Sequence, residues 1–169
     1  IKKEYANLES RGCWNINDAK PLSEVAQYYT KEGILIHIGS MLELLYLKHS
    51  ELDEKEQKLK GRVIFLGDRV RDQHGTAAIF EALASSPAGM EAARFVEAYG
   101  LMSTTGIAHT IEQGDAEQAY TQAKLDTTNP TFIRVPAHMR KSWMKAGVTY
   151  VMPLVKALYG HPQAGVFWE

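Results

Sequence analysis

Hydrophobic residues recur at helical spacing in two stretches of the chain. In both they occupy positions i, i+3, i+4 and i+7, the pattern of a helix with one buried face. The positions are Leu22, Val25, Ala26 and Tyr29 in the first stretch, and Ala92, Phe95, Val96 and Tyr99 in the second. Gly33 and Gly100 follow as C-terminal stop signals, and Pro87 after two serines is typical of a helix start. The pattern predicts two amphipathic helices, and residues 76–84 favour a short third one.

Four short apolar runs bounded by turn-forming residues predict strands. They are residues 34–38, 62–66, 131–135 and 149–154. Pro136 follows the third run directly and should end it, because proline has no backbone donor. Strands and helices are interleaved without a regular βαβ period, so the pattern favours an α+β fold over a doubly wound sheet.

The N-terminal third offers few candidates for chemistry. Residues 1–20 are mostly polar, with Trp14 and Ile16 as the expected hydrophobic anchors. His37 lies inside an apolar run and has no partner at metal-ligand spacing. We therefore expect His37 to be a structural histidine of the core or of a strand edge.

A single acid stands at the centre of residues 109–125. A run able to form a strand reaches Asp115, after which three alanines and Tyr120 recur at helical spacing. A carboxylate where a strand ends and a helix begins lies at a sheet edge, a common place for catalytic and metal-binding groups. Tyr120 would follow about a turn and a half along the helix and border the same pocket. An N-cap role for Asp115 is the alternative interpretation.

Composition is that of an ordinary globular domain. The 169 residues are 45% hydrophobic and 23% charged, which suits one domain with a sizeable core. Cys13 has no cysteine partner, and neither a signal peptide nor a membrane-spanning apolar run is visible. We therefore expect an intracellular protein, cytoplasmic or nuclear, that is neither secreted nor bound to a membrane. The net charge of −1 is not the basic surplus of a free-standing nucleic-acid binder, and the start at Ile1 suggests part of a longer protein.

Three motifs occur together in the C-terminal two-thirds of the chain. They are the Asp115 and Tyr120 pair, the segment Lys60-Gly-Arg-Val-Ile-Phe-Leu-Gly67, and Leu-Tyr-Gly…Gln…Trp within residues 154–168. Together they resemble the reverse transcriptase domain of copia-type retrotransposons, in which an Asp and a nearby aromatic residue precede such a Leu-Tyr-Gly segment. The resemblance extends from about Trp14 to Glu169 and is specific from Lys60 onward.

The resemblance implies an α+β fold built as the fingers and palm of a right-hand-shaped polymerase. Residues 1–59 would form an N-terminal helix and fingers strands, and residues 60–169 the rest of the fingers and part of the palm. The family's acidic Tyr-x-Asp-Asp hairpin does not occur in the chain, and neither does its thumb. We therefore expect one truncated domain whose remaining parts belong to the rest of a polyprotein.

Residues 41–58 carry two conflicting signals. Strong helix formers occupy most of this stretch, so propensity alone predicts a helix. The resemblance implies instead two strands of the fingers joined by a charged turn. We expect a strand at residues 43–48 and a solvated, charged loop at residues 50–59.

The activity implied by the resemblance is templated DNA synthesis by in-line phosphoryl transfer. In the family, two magnesium ions held by carboxylates neutralise charge at the reacting phosphate. Asp115 matches the first of these carboxylates and would be both a catalytic residue and a metal ligand. The expected partners are an RNA or DNA template with its primer, deoxynucleoside triphosphates, and the remainder of the polyprotein. Because the other acids are absent, we expect residues 1–169 alone to be inactive.

Six positions match residues that bind substrate in the family. They are Lys60, Arg62, Tyr120, Tyr159, Gly160 and Gln163. Arg62, with Lys60 as a weaker candidate, would grip the incoming triphosphate through paired donors. Tyr120 would lie beneath the sugar and exclude a 2′-hydroxyl, and the turn at Tyr159 and Gly160 would lie beside the templating base and the incoming nucleotide. The structural alternatives are an exposed edge-strand arginine for Arg62 and helix core packing for Tyr120.

The segment after Gly160 departs from the family pattern. The family continues with Leu-Lys-Gln-Ser-Pro-Arg, whereas this chain continues with His-Pro-Gln-Ala-Gly. Gln163 is retained and the basic residues are lost, which argues against phosphate contacts from this segment. His161 is a general-acid candidate by residue type only, and loop histidines rarely have that role.

Two other functions compete with that of an active reverse transcriptase segment. One is a catalytically dead remnant of such a domain, acting, if at all, as a nucleic-acid or protein binding module. The other is an unrelated α+β protein, in which Asp115 is an N-cap and Tyr159 and Gly160 form an ordinary turn. A Tyr-x-Asp-Asp sequence downstream of Glu169 would favour the enzyme, and a stop codon would favour the remnant.

Overall fold

The computed structural model describes residues 1–80, 89–102, 109–125 and 128–168. The helices within them are α1 (Lys2–Ser10), α2 (Leu22–Lys31), α3 (Met90–Leu101) and α4 (Ala164–Trp168). The strands are β1 (Lys20–Pro21), β2 (His37–Gly39), β3 (Met41–Lys48), β4 (Lys58–Phe65), β5 (Thr131–Arg134) and β6 (Tyr150–Pro153). Helices mixed with two separate sheets make an α+β fold, as predicted. Across those four ranges, no helix has the length and apolar character needed to cross a bilayer.

A mixed four-stranded sheet forms the centre of the fold, in the order β1-β6-β5-β2. β5 and β6 are antiparallel, with Ile133 opposite Met152, and β1 continues the sheet antiparallel to β6. β2 lies on the other side, parallel to β5, with His37 opposite Thr131. The strands predicted around β5 and β6 are confirmed, because both are short apolar runs between turn-forming residues.

The strand predicted at residues 34–38 begins only at His37. The Gln73 side chain accepts a hydrogen bond from the Ile36 N–H at 2.9 Å and donates one to the Ile34 carbonyl at 2.9 Å. This amide replaces the ladder hydrogen bonds that a neighbouring strand would supply. The apolar run is therefore longer than the strand it contains.

Both faces of the central sheet are buried. Adjacent residues of a strand point to opposite faces, and each face has its own apolar cluster. Ile133 and Met152 belong to one cluster together with Trp14, whereas Phe132 and Val151 belong to the other, against which α2 packs. Only 2% of Trp14 is exposed, which confirms its predicted role as an anchor.

α1 is a helix that the polar composition of the first residues did not predict. Tyr5 and Leu8 are its buried residues, and they lie about one turn apart on the same side. They pack with Trp14 and Ile16 in the core, so Ile16 is also an anchor, as expected. Two large apolar residues among nine are too few to show a helical pattern, so tertiary packing stabilises this helix.

β3 and β4 form a separate antiparallel hairpin, paired from Met41 opposite Phe65 to Lys48 opposite Lys58. The strand expected at residues 43–48 is confirmed, the charged loop expected at residues 50–59 is confirmed up to the start of β4 at Lys58, and the helix favoured by propensity is wrong. Cross-strand pairing is a non-local interaction, and it outweighs the local preference of the helix formers. The strand predicted at residues 62–66 is β4, which already starts at Lys58.

α3 confirms the second predicted helix but not its buried face, and it ends one residue beyond the predicted stop at Gly100. Its apolar residues lie in solvent, with Phe95 70% exposed and Val96 58% exposed, and no residue of α3 is buried. The first helix is also confirmed, as α2. The short helix predicted at residues 76–84 is wrong for residues 76–80, and the proposed helix start at Pro87 lies outside the described residues.

Residues 109–118 form neither the strand nor the helix start expected around Asp115. Gln118 has a φ of 52°, a left-handed conformation that an α-helix does not continue through. A short 3-10 turn follows at Ala119–Gln122, where the Thr121 hydroxyl donates to the Gln118 carbonyl at 2.9 Å. Among the described residues no strand lies beside residues 109–118, and a lone strand leaves its backbone groups unpaired. The predicted strand-to-helix junction is therefore wrong.

Candidate functional site

Arg62 of β4 is contacted by two tyrosines from different elements. Its Nε–H donates to the Tyr46 hydroxyl of β3 at 3.3 Å. Its guanidinium carbon lies 5.3 Å from the centre of the Tyr159 ring, within cation–π distance. The hydrogen bond to Tyr46 is the main cause that raises the pKa of Arg62 above its ordinary value. Arg62 therefore presents a restrained positive charge beside β3.

Tyr159 connects the hairpin to the region after Asp115. Its ring makes an edge contact with the ring of Tyr120, with centroids 5.0 Å apart and planes at 71°. Tyr120 belongs to the 3-10 turn at Ala119–Gln122, which packs against α4. We call Arg62, Tyr46, Tyr159 and Tyr120 the arginine–tyrosine cluster. It joins the β3–β4 hairpin, the 3-10 turn and the turn at Tyr159.

Gly160 attaches the Tyr159 turn to the end of β4. The Phe65 N–H donates to the Tyr159 carbonyl at 2.8 Å. Gly160 has a φ of 86°, and a Cβ at this position would collide with the Phe65 carbonyl oxygen. Two separate constraints therefore require glycine here. The turn that carries Tyr159 is thereby held at a defined position against the hairpin.

His161 is a buried residue of the same turn, only 4% exposed. Its Nδ1 accepts from the Gln163 N–H at 3.2 Å, so Nε2 carries the proton and donates to the Thr131 hydroxyl at 3.3 Å. Burial, with a smaller contribution from His37, lowers the pKa of His161 to about 4. A neutral, buried ring held in this way has a structural role and does not suit a general acid at the surface.

His37 is buried, as expected, and 5% exposed. Its ring packs against Phe80 with centroids 4.4 Å apart, while its Nδ1 has no hydrogen-bond partner within the described ranges. Burial lowers the pKa of His37, and the ring is therefore neutral near pH 7. These contacts support the structural role inferred from the sequence.

Lys60 and Gln163 lie beside the cluster without being part of it. Lys60 is on the same face of β4 as Arg62, because alternate residues of a strand point the same way, and it pairs with Tyr46 across the hairpin. Gln163 immediately precedes α4 and is half-buried. Neither side chain makes a hydrogen bond or an ion pair with another described residue. Both are therefore available to contact a ligand.

Asp115 lies in an exposed segment, and its side chain contacts no member of the cluster. Its side chain makes no hydrogen bond or ion pair within the part of the chain that the structure describes. Asp115 is not an N-cap either, because the following 3-10 turn begins after Gln118. Glu117 forms an ion pair with Arg11 of α1 at 3.0 Å, but its side chain is 84% exposed, so the pair adds little stability.

The described residues do not fit a two-magnesium centre. Magnesium requires several oxygen ligands, which in such enzymes include more than one carboxylate together with substrate phosphates. No group of three or more histidine, cysteine, aspartate or glutamate side chains in those residues lies close enough together to hold a metal ion. Because Asp115 is the single candidate ligand, no catalytic step through magnesium follows from these residues.

Tyr46 is the member of the cluster that the sequence did not reveal. The motif around Lys60 and Arg62 selects residues of β4, whereas Tyr46 lies on the facing strand, opposite Lys60 and diagonal to Arg62. Diagonal positions of a hairpin are within reach of long side chains. The strand register is the signal that would have identified Tyr46, and a sequence motif does not contain it.

Comparison of the chain with protein-family models, with curated proteins and with solved structures found no match. An α+β fold does not by itself identify an activity, because one architecture supports many functions. The function is therefore inferred from the chemistry of the arginine–tyrosine cluster and from the motifs that carry the resemblance.

Proposed function

We propose that the chain is the fingers and the first half of the palm of a copia-type reverse transcriptase domain. In the intact protein, this domain would copy an RNA or DNA template into DNA from deoxynucleoside triphosphates. The observation that supports the proposal most is that Arg62 and Tyr120 both contact the ring of Tyr159. Motif matching selected these three residues from separate segments, and a shared substrate site requires them to be close together.

Arg62 is the group that would bind the triphosphate. Its Nε is engaged by the Tyr46 hydroxyl at 3.3 Å, so phosphate oxygens would bind the Nη groups in place of the weaker interaction with Tyr159. A guanidinium presents these donors as a planar pair that matches two oxygens of a phosphate, and it stays charged at physiological pH. Lys60, two residues earlier on the same strand face, adds a second positive charge.

Tyr120 would limit the size of the sugar. Its ring rests edge-on against Tyr159, with centroids 5.0 Å apart, and this contact restricts its movement. A ribose 2′-hydroxyl would need the space that the ring occupies, so deoxyribose is accepted and ribose is rejected by steric contact. The Tyr159 ring separates the phosphate end of the site, at Arg62, from the sugar end, at Tyr120.

The turn at Gly160 would lie beside the incoming nucleotide. Gly160 is exposed, so its backbone is accessible to a base. Gln163, three residues later, has an amide side chain without a hydrogen bond to any other described residue, and it would bind the nucleotide. The buried ring of His161 holds the segment between these two residues in place.

Asp115 would supply one of the carboxylates of the intact enzyme. The described residues contribute no cluster of acids around it, so the proposal requires further acids from elsewhere. The resemblance assigns them to a downstream Tyr-x-Asp-Asp hairpin.

Primer extension by the longer protein tests the proposal. The coding sequence downstream of Glu169 is read first. A chain that continues through a Tyr-x-Asp-Asp hairpin and a thumb is then supplied with a primed RNA or DNA template, magnesium and deoxynucleoside triphosphates. We expect template-dependent extension that is strongly reduced in Arg62→Ala. A stop codon in place of the hairpin, or a completed chain without activity, would contradict the proposal and favour a remnant that binds nucleic acid or protein.

A further inference from the structure

Tyr46 places its hydroxyl at the guanidinium of Arg62 from the facing strand. The register of the hairpin sets this geometry, because Tyr46 lies opposite Lys60 and its hydroxyl reaches diagonally to the Arg62 Nε at 3.3 Å. Tyr46 is 40% exposed, and the pairing of β3 with β4 does not depend on a hydroxyl at this position. The hydrogen bond from Arg62 is the main cause that lowers the pKa of Tyr46, which agrees with a hydroxyl oxygen that accepts a hydrogen bond from a cation.

This hydrogen bond determines which edge of Arg62 faces a ligand. One edge of a guanidinium is formed by Nε and one Nη group, and another edge is formed by both Nη groups. The Tyr46 hydroxyl occupies Nε, so a phosphate would bind the edge with both Nη groups, where it replaces the weaker side-chain hydrogen bond of Tyr159. The Tyr159 ring, 5.3 Å from the guanidinium carbon, restrains the orientation of the group. The two tyrosines together therefore hold the arginine in one orientation.

We propose that Tyr46 is a positioning residue that orients Arg62 for end-on binding of a triphosphate. This inference rests on the proposed function, in which Arg62 binds the incoming nucleotide. Tyr46 acts through the arginine, since its hydroxyl accepts the Nε–H. A free arginine side chain loses much conformational entropy when it binds a ligand, and an arginine that is already oriented loses less. Removal of the Tyr46 hydroxyl should therefore weaken triphosphate binding.

An NMR titration of the 169-residue chain measures this effect. Inorganic tripolyphosphate is the first probe, because it presents phosphate groups without a base or a sugar, and deoxythymidine triphosphate is the second. Tyr46→Phe removes the hydroxyl and keeps the ring. It should weaken binding of both probes by roughly threefold to tenfold, the equivalent of one hydrogen bond. The Arg62 Nε–H resonance, assigned by its absence in Arg62→Ala, should also shift in Tyr46→Phe.

A double-mutant comparison separates positioning from a general structural role. In an Arg62→Ala background, Tyr46→Phe should have no further effect on affinity, because the residue through which Tyr46 acts is gone. Tyr28→Phe is the matched control. Tyr28 lies on α2 and is 57% exposed, so the loss of its hydroxyl should leave both the affinity and the Arg62 resonance unchanged.

The outcomes distinguish this inference from the proposed function. If Arg62→Ala weakens binding while Tyr46→Phe behaves like Tyr28→Phe, the positioning role is wrong and the triphosphate site stands. If Tyr46→Phe weakens binding equally with and without Arg62, its role is structural and the inference is also wrong. If the wild-type chain binds neither probe, or Arg62→Ala leaves binding unchanged, the proposed triphosphate site is wrong and the positioning role fails with it.

Discussion

The arginine–tyrosine cluster and the segment around Asp115 are stabilised in different ways, although motif matching selected residues in both. The cluster rests on a paired hairpin and on a turn whose backbone is hydrogen-bonded to Phe65 and whose His161 is buried. Residues 109–117 are exposed, and they have no strand partner in the described ranges. A motif therefore identifies residue types, while backbone pairing and burial decide whether those residues are held in position.

α3 resembles the Asp115 segment in its lack of buried contacts. Tyr99 of α3 packs on His109 with ring centroids 5.2 Å apart, so the helix and the start of the segment contact each other. Tyr99 itself is 52% exposed and Leu101 is 84% exposed. Because these apolar residues are exposed, α3 and the Asp115 segment lack the burial that stabilises the central sheet and the end of β4, where Val63 and Phe65 are buried.

The largest effect, a loss of activity, is expected in the exposed segment around Asp115. Under the proposed function, Asp115→Asn in a chain completed through the acidic hairpin should abolish primer extension, because it removes the one carboxylate that the proposal assigns to this segment. In the 169-residue chain the same change should leave the midpoint of urea unfolding unchanged, since Asp115 has no partner among the described residues. Asp18→Asn, at another exposed acid, is the control that should retain activity. Extension by Asp115→Asn at ordinary magnesium concentration would end the catalytic assignment.

The second prediction concerns the stability of the turn at Gly160, which packs against β4. Gly160→Ala should lower the free energy of unfolding by about 2–5 kcal/mol, because it combines backbone strain with a collision. Gly147→Ala is the matched control: Gly147 has a φ of 74°, but a Cβ there meets nothing within 4 Å. It should cost only the strain, about 1–2 kcal/mol. Urea denaturation measures both values, and equal costs would show that the turn is not held against β4.

A smaller effect concerns the charge of the cluster. Arg62→Ala in the longer protein should weaken the use of nucleotide by about 1.5–3 kcal/mol, the contribution of a hydrogen bond to a charged group. Arg62→Lys should recover part of this, because the charge returns without the planar pair of donors. Arg94→Ala on the exposed α3 is the control and should have no effect. Steady-state kinetics with varied nucleotide measure the change, and an unaltered dependence in Arg62→Ala would make it an ordinary surface arginine.

The smallest effect concerns the selectivity for deoxynucleotides over ribonucleotides. Tyr120→Ala should raise the ratio of ribonucleotide to deoxynucleotide incorporation by the longer protein, because the ring is the proposed steric filter. Tyr120→Phe keeps the ring and its contact with Tyr159, so this variant should preserve the ratio. Parallel incorporation assays with the two kinds of nucleotide measure it. An unchanged ratio in Tyr120→Ala would reduce Tyr120 to a packing residue.

The sequence by itself determined the elements that depend on local patterns. α2, β5 and β6 were predicted because helical spacing, or a short apolar run between turn-forming residues, is visible within a few neighbouring residues. The burial of Trp14 followed from its size and apolar character in a polar stretch. The motifs of the sequence also include Arg62, Tyr120 and Tyr159, and in the tertiary structure Arg62 and Tyr120 each contact the ring of Tyr159.

The tertiary structure alone decided the features that depend on residues far apart in the chain. Pairing with β4 makes a strand of a stretch rich in helix formers, and the resulting register brings Tyr46 to Arg62. Gln73 replaces a strand partner for residues 34–36. The segment before Asp115 is not a strand, because no described strand lies beside it. Hydrogen bonding between strands and burial both depend on which segments lie side by side, and a short window of sequence does not contain that information.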